Sequence, residues 1–218
     1  MNTPPLSPRG RFITLEGIEG AGKSSCLEAI RALLERQGVA ALFTREPGGT
    51  PLGEALRELL LGHRYDGMAE ESELLLLFAA RAEHLARRIA PALAAGQWVI
   101  SDRFSDASFA YQGGGRGVAH ERIATLEQWV QQGQRPDLTL LLDLPVAQGL
   151  ARAASRSSPD RFERQQVAFF ERVRQRYLEL AQAEPERVRV IDASQPLEQV
   201  QAQLITQLQP MLTAWKTS

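Results

Sequence analysis

The chain has 218 residues, of which 44% are apolar, and a formal net charge of -1. This length suits one well-buried domain, so we expect residues 1–218 to form a single domain with a flexible N-terminal tail over residues 1–10. The balanced charge argues against a nucleic-acid partner. The single cysteine excludes an internal disulfide. No apolar run reaches 18 residues, which argues against a membrane partner and favours a cytoplasmic protein.

Short apolar runs alternate along the chain with longer segments of helical periodicity. Five runs, several of them rich in β-branched residues, predict buried strands at 12–16, 39–44, 98–102, 138–142 and 188–192. Segments with helical spacing predict helices at 25–37, 51–61, 72–94, 121–132, 164–183 and 197–215. Because strands and helices alternate, we predict an α/β fold in which helices flank both faces of a five-stranded parallel sheet.

The segment that follows the first predicted strand, residues 17–24, fits the phosphate-binding pattern G-x-x-x-x-G-K-[ST] and leads into a helix, as a P-loop requires. Its glycines let backbone N–H groups converge on an anion, and the helix N-terminus adds its positive dipole. We therefore predict a P-loop NTPase fold that binds ATP. The predicted ATP contacts are Gly17, Ile18, Glu19, Gly20, Ala21, Gly22, Lys23 and Ser24.

Two side chains of this region are predicted to act on the triphosphate and its metal. Lys23 can reach the β- and γ-phosphoryl oxygens, and the Ser24 hydroxyl is placed to bind the Mg²⁺ that bridges them. Asp102 ends the third predicted strand, where a second ligand of the metal should lie. An Asp after a strand can also be a turn former or a helix cap, and that alternative stays open on the sequence alone.

The P-loop by itself does not identify the phosphoryl acceptor, because switch proteins, motors and small-molecule kinases share it. The chain has no N-K-x-D element of the kind that guanine-specific switches carry, which argues against a GTPase. A nucleotide-dependent switch of another type and a nucleoside monophosphate kinase both remain possible at this point.

Further motifs decide between these classes. They read TREPGGT at 44–50, DRF at 102–104, AYQG at 110–113 and RPD at 135–137. In order and spacing they resemble the bacterial thymidylate kinase family, from about residue 12 to the last predicted helix. The resemblance implies a homodimeric enzyme that phosphorylates dTMP to dTDP with ATP and Mg²⁺ on the way to dTTP. Another nucleoside monophosphate kinase is the nearest alternative.

Two arginines are predicted to hold the acceptor phosphate. Arg45 follows the second strand and Arg103 follows the third, so both can point into the crevice beside the P-loop. There they would screen the repulsion between the acceptor phosphate and the γ-phosphate of ATP. Pro47, in the same TREPGGT motif as Arg45, is a predicted substrate contact by the resemblance.

The base is predicted to lie against the helix over residues 72–94. Phe78 and Arg81 share one face of it, and the resemblance implies stacking on an aromatic residue and a hydrogen bond from the arginine. The family pattern, however, places the aromatic residue four positions before the arginine, where this chain has Leu77. Phe78 can therefore equally be a core residue.

The remaining substrate contacts follow from the resemblance. Ser108 should meet the pyrimidine edge, Gln112 should line the pocket, and Tyr111 should lie where a 2′-hydroxyl would clash. Glu19 resembles the acidic residue that orients the 3′-hydroxyl of the sugar.

A cationic segment over residues 152–163 is predicted to be a short lid, although it can also be read as an ordinary solvated connection. Relatives differ at position 20, where some carry an arginine and this chain has Gly20. A transition-state arginine should then come from the lid. The candidates are Arg152, Arg156 and Arg161, and with Lys23 and Arg103 they complete the predicted catalytic set.

Overall fold

The structure is a computed structural model, and it describes residues 9–65, 67–154, 161–162 and 165–216. Its central sheet contains five parallel strands in the order β2-β3-β1-β4-β5. The strands are β1 (Phe12–Glu16), β2 (Ala41–Arg45), β3 (Trp98–Asp102), β4 (Leu138–Asp143) and β5 (Val188–Asp192). The predicted five-stranded parallel sheet is confirmed, with β2 beginning at Ala41 rather than at residue 39.

Helices connect these strands. Within the described ranges the α-helices are α1 (Lys23–Arg36), α2 (Pro51–Leu61), α3 (Glu70–His84), α4 (Ala90–Ala94), α5 (Ser105–Ser108), α6 (His120–Gln131), α7 (Val146–Ala154), α8 (Val167–Ala183) and α9 (Leu197–Lys216). Two further segments have π-helical geometry: Leu85–Ile89, which joins α3 to α4, and Phe109–Gly115, which follows α5. The single helix predicted over 72–94 is thus α3, a π-helical segment and α4 in succession.

Both faces of the sheet are covered, as the continuous apolar runs predict. On one face Phe12 packs in a cluster with Ile89 and Leu93, which lie next to and within α4. On the other face Ile13 belongs to the larger core that contains Ile30 of α1. All five residues of β1 are buried, because this strand lies in the middle of the sheet.

The π-helical segment Phe109–Gly115 packs closely against α8. A Cβ atom on Gly115 would overlap the ring of Phe169, and one on Gly114 would come within 2.8 Å of the carbonyl oxygen of Arg172. The glycines of this segment therefore allow a close approach of backbone to helix that larger residues would prevent. The approach fixes Tyr111, which lies in the same segment and packs edge-to-face against Phe169.

The last residue of the predicted flexible N-terminal tail is packed against the rest of the protein. Gly10 is buried, and its N–H donates to the carbonyl oxygen of Leu93 at 2.9 Å. The expected tail over residues 1–10 is thus wrong at Gly10, while residues 1–8 lie outside the described residues. Among the helices that the structure describes, none is long and apolar enough to cross a membrane.

Candidate active site

The loop between β1 and α1 has the backbone that a P-loop needs. Gly17, Gly20 and Gly22 have φ values of 137°, 74° and 92°, in the left-handed region that favours glycine. At Gly20 space is limiting as well, because a Cβ atom there would overlap the carbonyl oxygen of Gly149 in α7. The loop therefore packs directly against α7, and a residue larger than glycine does not fit at position 20.

Lys23, the first residue of α1, lies over the loop that precedes it. Its Nζ donates to the carbonyl oxygens of Gly17 at 3.2 Å and Ile18 at 3.4 Å. Loss of hydration and the nearby charge of Arg103 lower the pKa of Lys23, whereas Asp102 and other carboxylates oppose that shift. The ammonium group is thus poorly hydrated and close to the position where phosphoryl oxygens would bind.

Asp102 and Ser24 face the same cavity. The Oδ1 atom of Asp102 is buried and has no hydrogen-bond partner among the described residues. A buried carboxylate oxygen without a donor is unfavourable unless a cation or a water molecule binds it. Mg²⁺ commonly takes one or two protein oxygens and fills its other positions with water and phosphate oxygens, so Ser24 and Asp102 fit that ion. Within the described ranges no cluster of three or more His, Cys, Asp or Glu residues could hold a metal.

The cavity between the P-loop and the ends of β2 and β3 has a volume of about 250 Å³. The P-loop forms one side of it. The predicted site residues that line it are Glu19, Gly20, Ala21, Gly22, Lys23, Ser24, Arg45, Pro47, Arg81, Asp102, Arg103, Ser108, Tyr111 and Gln112. The structure therefore brings the predicted phosphate, metal and acceptor groups together around one space.

Arg103 adopts the left-handed conformation, with φ 71°, which is uncommon for a residue with a side chain. Its Nη2 donates to Glu19 Oε1 at 2.9 Å and to the Tyr111 hydroxyl at 2.8 Å. Its guanidinium also lies 4.5 Å from the centre of the Tyr111 ring. The unusual backbone thus turns this side chain back over the P-loop, towards Glu19.

Glu19 and Tyr111 complete that cluster. The Tyr111 hydroxyl lies 2.9 Å and 2.8 Å from the two carboxylate oxygens of Glu19. Burial favours the protonated form of Glu19, but the charges of Arg103 and Lys23 outweigh it and hold the pKa of Glu19 below its ordinary value. Glu19 is therefore an ionised acceptor at the wall of the cavity.

The far end of the cavity is built around Arg81. Its Nε donates to Glu46 at 2.8 Å, and both of its terminal nitrogens lie 3.2 Å from the Ser108 hydroxyl. Glu46 is held on its other side by His84 at 3.0 Å. Arg81 is buried and thus rigidly oriented by its partners, which suits a group that recognises a planar base.

The side chain of α3 that faces the cavity at this end is not the predicted aromatic one. Phe78 is buried in a cluster with Leu74, Phe109 and Ile123, and it does not line the cavity. Leu77 lines it instead. The prediction that Phe78 forms the platform for the base is therefore wrong in this structure, because the helix turns the preceding residue towards the cavity.

Arg45 and Arg57 lie at the open end of the cavity. Arg45 is half-exposed and forms an ion pair with Glu54 at 2.8 Å, while Arg57 donates to the carbonyl oxygen of Pro47 at 2.9 Å. Burial and the positive charge of Arg45 lower the pKa of Arg57. Two neighbouring guanidinium groups of like charge favour an anion between them. Sequence reasoning missed Arg57.

The chain matches the family model described as Thymidylate kinase over residues 15–204. The chain belongs to the thymidylate kinase family. The thymidylate kinase of Alkalilimnicola ehrlichii is 60% identical over 208 residues, which cover 95% of this chain and 96% of that protein. The thymidylate kinase of Pseudomonas syringae pv. tomato is 61% identical over 195 residues, covering 89% and 93% of the two chains.

A solved structure agrees with this assignment. The crystal structure of thymidylate kinase from Ehrlichia chaffeensis matches with a TM-score of 0.75 and 35% identity, covering 93% of this chain and 99% of that one. The predicted P-loop fold and enzyme class, an ATP-dependent nucleoside monophosphate kinase, are confirmed by membership of the thymidylate kinase family.

The arginines of the predicted lid differ in their surroundings. Arg152 lies within α7, and its Nη1 donates to the carbonyl oxygen of Ala193 at 2.9 Å. Arg161 is buried rather than solvated, and its Nη2 forms a 2.6 Å ion pair with Glu73. Arg156 lies outside the described residues. At Arg161 the alternative of an ordinary solvated connection therefore does not hold, because this side chain is buried and ion-paired.

Glu73 is a further residue that sequence reasoning missed. Its carboxylate accepts hydrogen bonds from Gln112 at 2.9 Å, from Arg116 at 3.3 Å and from Arg161. Gln112, which is predicted to line the pocket, is therefore held in place by its hydrogen bond to the buried carboxylate of Glu73. One feature of the sequence could have pointed to it. Glu73 directly precedes the apolar run LLLLFAA of α3, so its carboxylate lies beside side chains that pack in the core.

Proposed function

We propose that the chain transfers the γ-phosphoryl group of ATP to dTMP, giving dTDP and ADP. The observation that carries this proposal is the cavity in which the P-loop faces the guanidinium groups of Arg45, Arg57 and Arg103. A phosphoryl donor and a phosphorylated acceptor can occupy such a cavity side by side, and the arginines offset the repulsion between them. Membership of the thymidylate kinase family supports dTMP as the acceptor.

The acceptor is proposed to lie with its phosphate near Arg103 and its base near Arg81. Arg81 and Ser108 offer hydrogen bonds at the base end, where Gln112 closes the cavity. Tyr111 and the ionised Glu19 lie between these ends, next to the position of the sugar. A hydroxyl that donates to Glu19 would be oriented by it, which suits the 3′-hydroxyl of a deoxyribose.

Catalysis is proposed to rest on positioning and charge. An oxygen of the acceptor phosphate attacks the γ-phosphorus in line as the bond to the β–γ bridging oxygen breaks, and ADP leaves with the electrons of that bond. Lys23 and Arg103 hold the negative charge that develops on the transferring group. Ser24 and Asp102 would hold Mg²⁺, which would neutralise part of the negative charge of the nucleotide phosphates.

A substrate panel tests this proposal. The purified chain is assayed with ATP and Mg²⁺ against dTMP, dUMP, UMP, CMP, AMP and GMP, with ADP release coupled to NADH oxidation. We expect the highest kcat/KM with dTMP. A higher kcat/KM with another monophosphate would assign the chain to a different nucleoside monophosphate kinase, and slow ATP hydrolysis that no monophosphate accelerates would favour a nucleotide-dependent switch.

We further propose that the protein acts as a homodimer in the cytoplasm, the compartment that supplies ATP and dTMP. Large apolar side chains on α2, α3 and α6 support the dimer. Leu75 of α3 is 55% exposed and Trp129 of α6 is 73% exposed, and Leu52 of α2 is also exposed. Since α3 packs against both α2 and α6, these side chains belong to one helical layer that an identical layer could cover.

A further inference from the structure

We infer that Glu16 is a positioning residue for the acceptor site, which it shapes by holding the backbone N–H of Phe104 and the hydroxyl of Tyr177. The inference rests on the proposed function, because the groups that Glu16 positions are those assigned to the acceptor. Glu16 ends β1, is fully buried and does not line the cavity. It therefore acts through other residues rather than on the substrate.

The backbone immediately after β3 has an uncommon conformation. Arg103 is held in the left-handed region, which is costly for a residue with a Cβ atom and persists only where neighbouring contacts fix it. Its own N–H donates to Leu15 at 2.9 Å, and its carbonyl oxygen accepts from the Ser101 hydroxyl at 2.7 Å. Glu16 Oε1 supplies the next contact along the chain, a 2.7 Å bond from the N–H of Phe104.

This contact fixes two cavity residues at once. It holds the backbone immediately after Arg103, and so the direction in which that guanidinium leaves the chain. It also holds Phe104, a residue that lines the cavity and whose buried ring lies 5.1 Å from the guanidinium of Arg81. Without a partner the buried N–H of Phe104 would lack a hydrogen bond, which is unfavourable.

The second oxygen of Glu16 reaches the opposite side of the site. It lies 2.7 Å from the hydroxyl of Tyr177 in α8. The Tyr177 ring packs edge-to-face against Tyr111, with 6.3 Å between the ring centres, and Tyr111 in turn contacts Arg103. The Glu16 carboxyl group therefore links β1 to two features that hold Arg103. One is the backbone that follows Arg103, and the other is Tyr111, through its contact with Tyr177.

The two hydrogen bonds of Glu16, to Phe104 and Tyr177, depend on the length of its side chain rather than on its negative charge. Burial, and then the proximity of Asp106, raise the pKa of Glu16 to about 8, although Tyr177, Arg103 and the N–H of Phe104 oppose that shift. The Tyr177 hydroxyl donates to the ionised carboxylate. Because a hydroxyl can also accept, a neutral carboxyl keeps both contacts by accepting from the N–H of Phe104 and donating to Tyr177. A glutamine amide has the same length and the same pair of hydrogen-bonding functions, whereas an aspartate is shorter by one methylene.

The test compares Glu16→Gln with Glu16→Asp in the full chain. For each variant we would measure KM for dTMP, KM for ATP, kcat, and the Kd of dTMP alone by calorimetry. Glu16→Gln should keep all four within about threefold of the parent, while Glu16→Asp should raise KM and Kd for dTMP about tenfold or more, as expected for a lost buried hydrogen bond. KM for ATP should change by less than about threefold in both.

A control separates positioning from general damage to β1. Thr14 lies on the same strand, is fully buried and shares a 2.9 Å hydrogen bond with Thr139 away from the cavity lining. Thr14→Val should lower the melting temperature without changing the ratio of the two KM values.

The inference is overturned if Glu16→Asp keeps the parent's Kd for dTMP, if Glu16→Gln loses dTMP affinity as Glu16→Asp does, or if KM for ATP rises in step with KM for dTMP. Should Glu16→Asp fail to fold, Tyr177→Phe, which removes only one of the two partners, must raise the Kd for dTMP for the inference to stand. A parent protein that does not bind dTMP would instead contradict the proposed function.

Discussion

Lys23 is the residue whose removal gives the most direct test of the chemistry. Its ammonium group lies within 3.4 Å of the P-loop carbonyl oxygens, and burial has already lowered its pKa. We expect Lys23→Ala to lower kcat by about two orders of magnitude or more, because the charge stabilises the dissociating γ-phosphoryl group most strongly. The melting temperature should stay near that of the parent, and turnover close to that of the parent would contradict the mechanism.

The titration of Glu16 predicts a pH dependence of stability. Its pKa is about 8 in the folded protein against an ordinary value of 4.5, so between these values the folded state binds a proton that the unfolded state lacks. The free energy of unfolding therefore falls as pH rises through this window. The charged or titratable groups that face Glu16 are Asp106, Tyr177, Arg103 and Lys23.

Glu16→Gln removes this titration. Its free energy of unfolding should exceed that of the parent by a few kcal/mol more at about pH 8 than at about pH 5. Urea denaturation followed at both pH values gives the two differences. Equal differences at both pH values would mean that Glu16 keeps an ordinary pKa in the folded state.

The sequence located cavity residues where a motif fixes their position, and it did not where only periodicity was available. Asp102 ends β3, Arg103 follows it and Lys23 begins α1, and the structure brings all three to the cavity. Leu77 and Phe78 are neighbours in an apolar run on a helix, where successive side chains point about 100° apart. Apolar character alone could not tell which of them faces the core.

Between elements, the ion pair of Arg161 and Glu73 joins the predicted lid to α3. Both side chains are buried, and Arg161 Nε also donates to the carbonyl oxygen of Leu60 at 2.8 Å. Arg161→Ala should lower the free energy of unfolding by about 3 kcal/mol, because it leaves a buried carboxylate with fewer donors. Arg161→Ala, Glu73→Gln and the double variant form a cycle, in which strictly additive losses would show that the pair is not coupled.

The lid arginines differ in what their removal should do to catalysis. We expect Arg152→Ala or Arg156→Ala to lower kcat by about a hundredfold with little change in KM for dTMP, as for an arginine that acts on the transition state. The loss should persist at high salt, because a contact at the reacting group is screened less than a steering charge. If both variants, and Arg161→Ala too, keep kcat within about threefold of the parent, no lid arginine is catalytic.

The elements themselves were predictable where their periodicity was regular. The five strands lie close to their predicted positions because each is a short apolar run in a sheet covered on both faces. The π-helical segments Leu85–Ile89 and Phe109–Gly115 were not predicted. Their widened turns depend on packing between distant parts of the chain, such as the approach of Gly115 to Phe169, which local sequence does not encode.

At the scale of the whole molecule the proposed dimer can be tested on its surface. Trp129→Glu places a charge on the exposed layer formed with Leu75, and it should shift the protein from dimer to monomer in size-exclusion chromatography with light scattering. Val190→Glu is the matched control, because Val190 is 46% exposed on the edge strand β5. A monomeric parent, or a Trp129→Glu variant that remains dimeric, would contradict this interface.

The contact between Gly20 and Gly149 also constrains how this enzyme could evolve. A side chain at position 20 would overlap the backbone of α7, and a Cβ atom at position 149 would come within 2.7 Å of the carbonyl oxygen of Glu19. The two positions are therefore epistatic, since neither can change while the other segment stays in place. An arginine at position 20 would therefore require a displacement of α7, so the sequence of the P-loop and the path of α7 constrain each other.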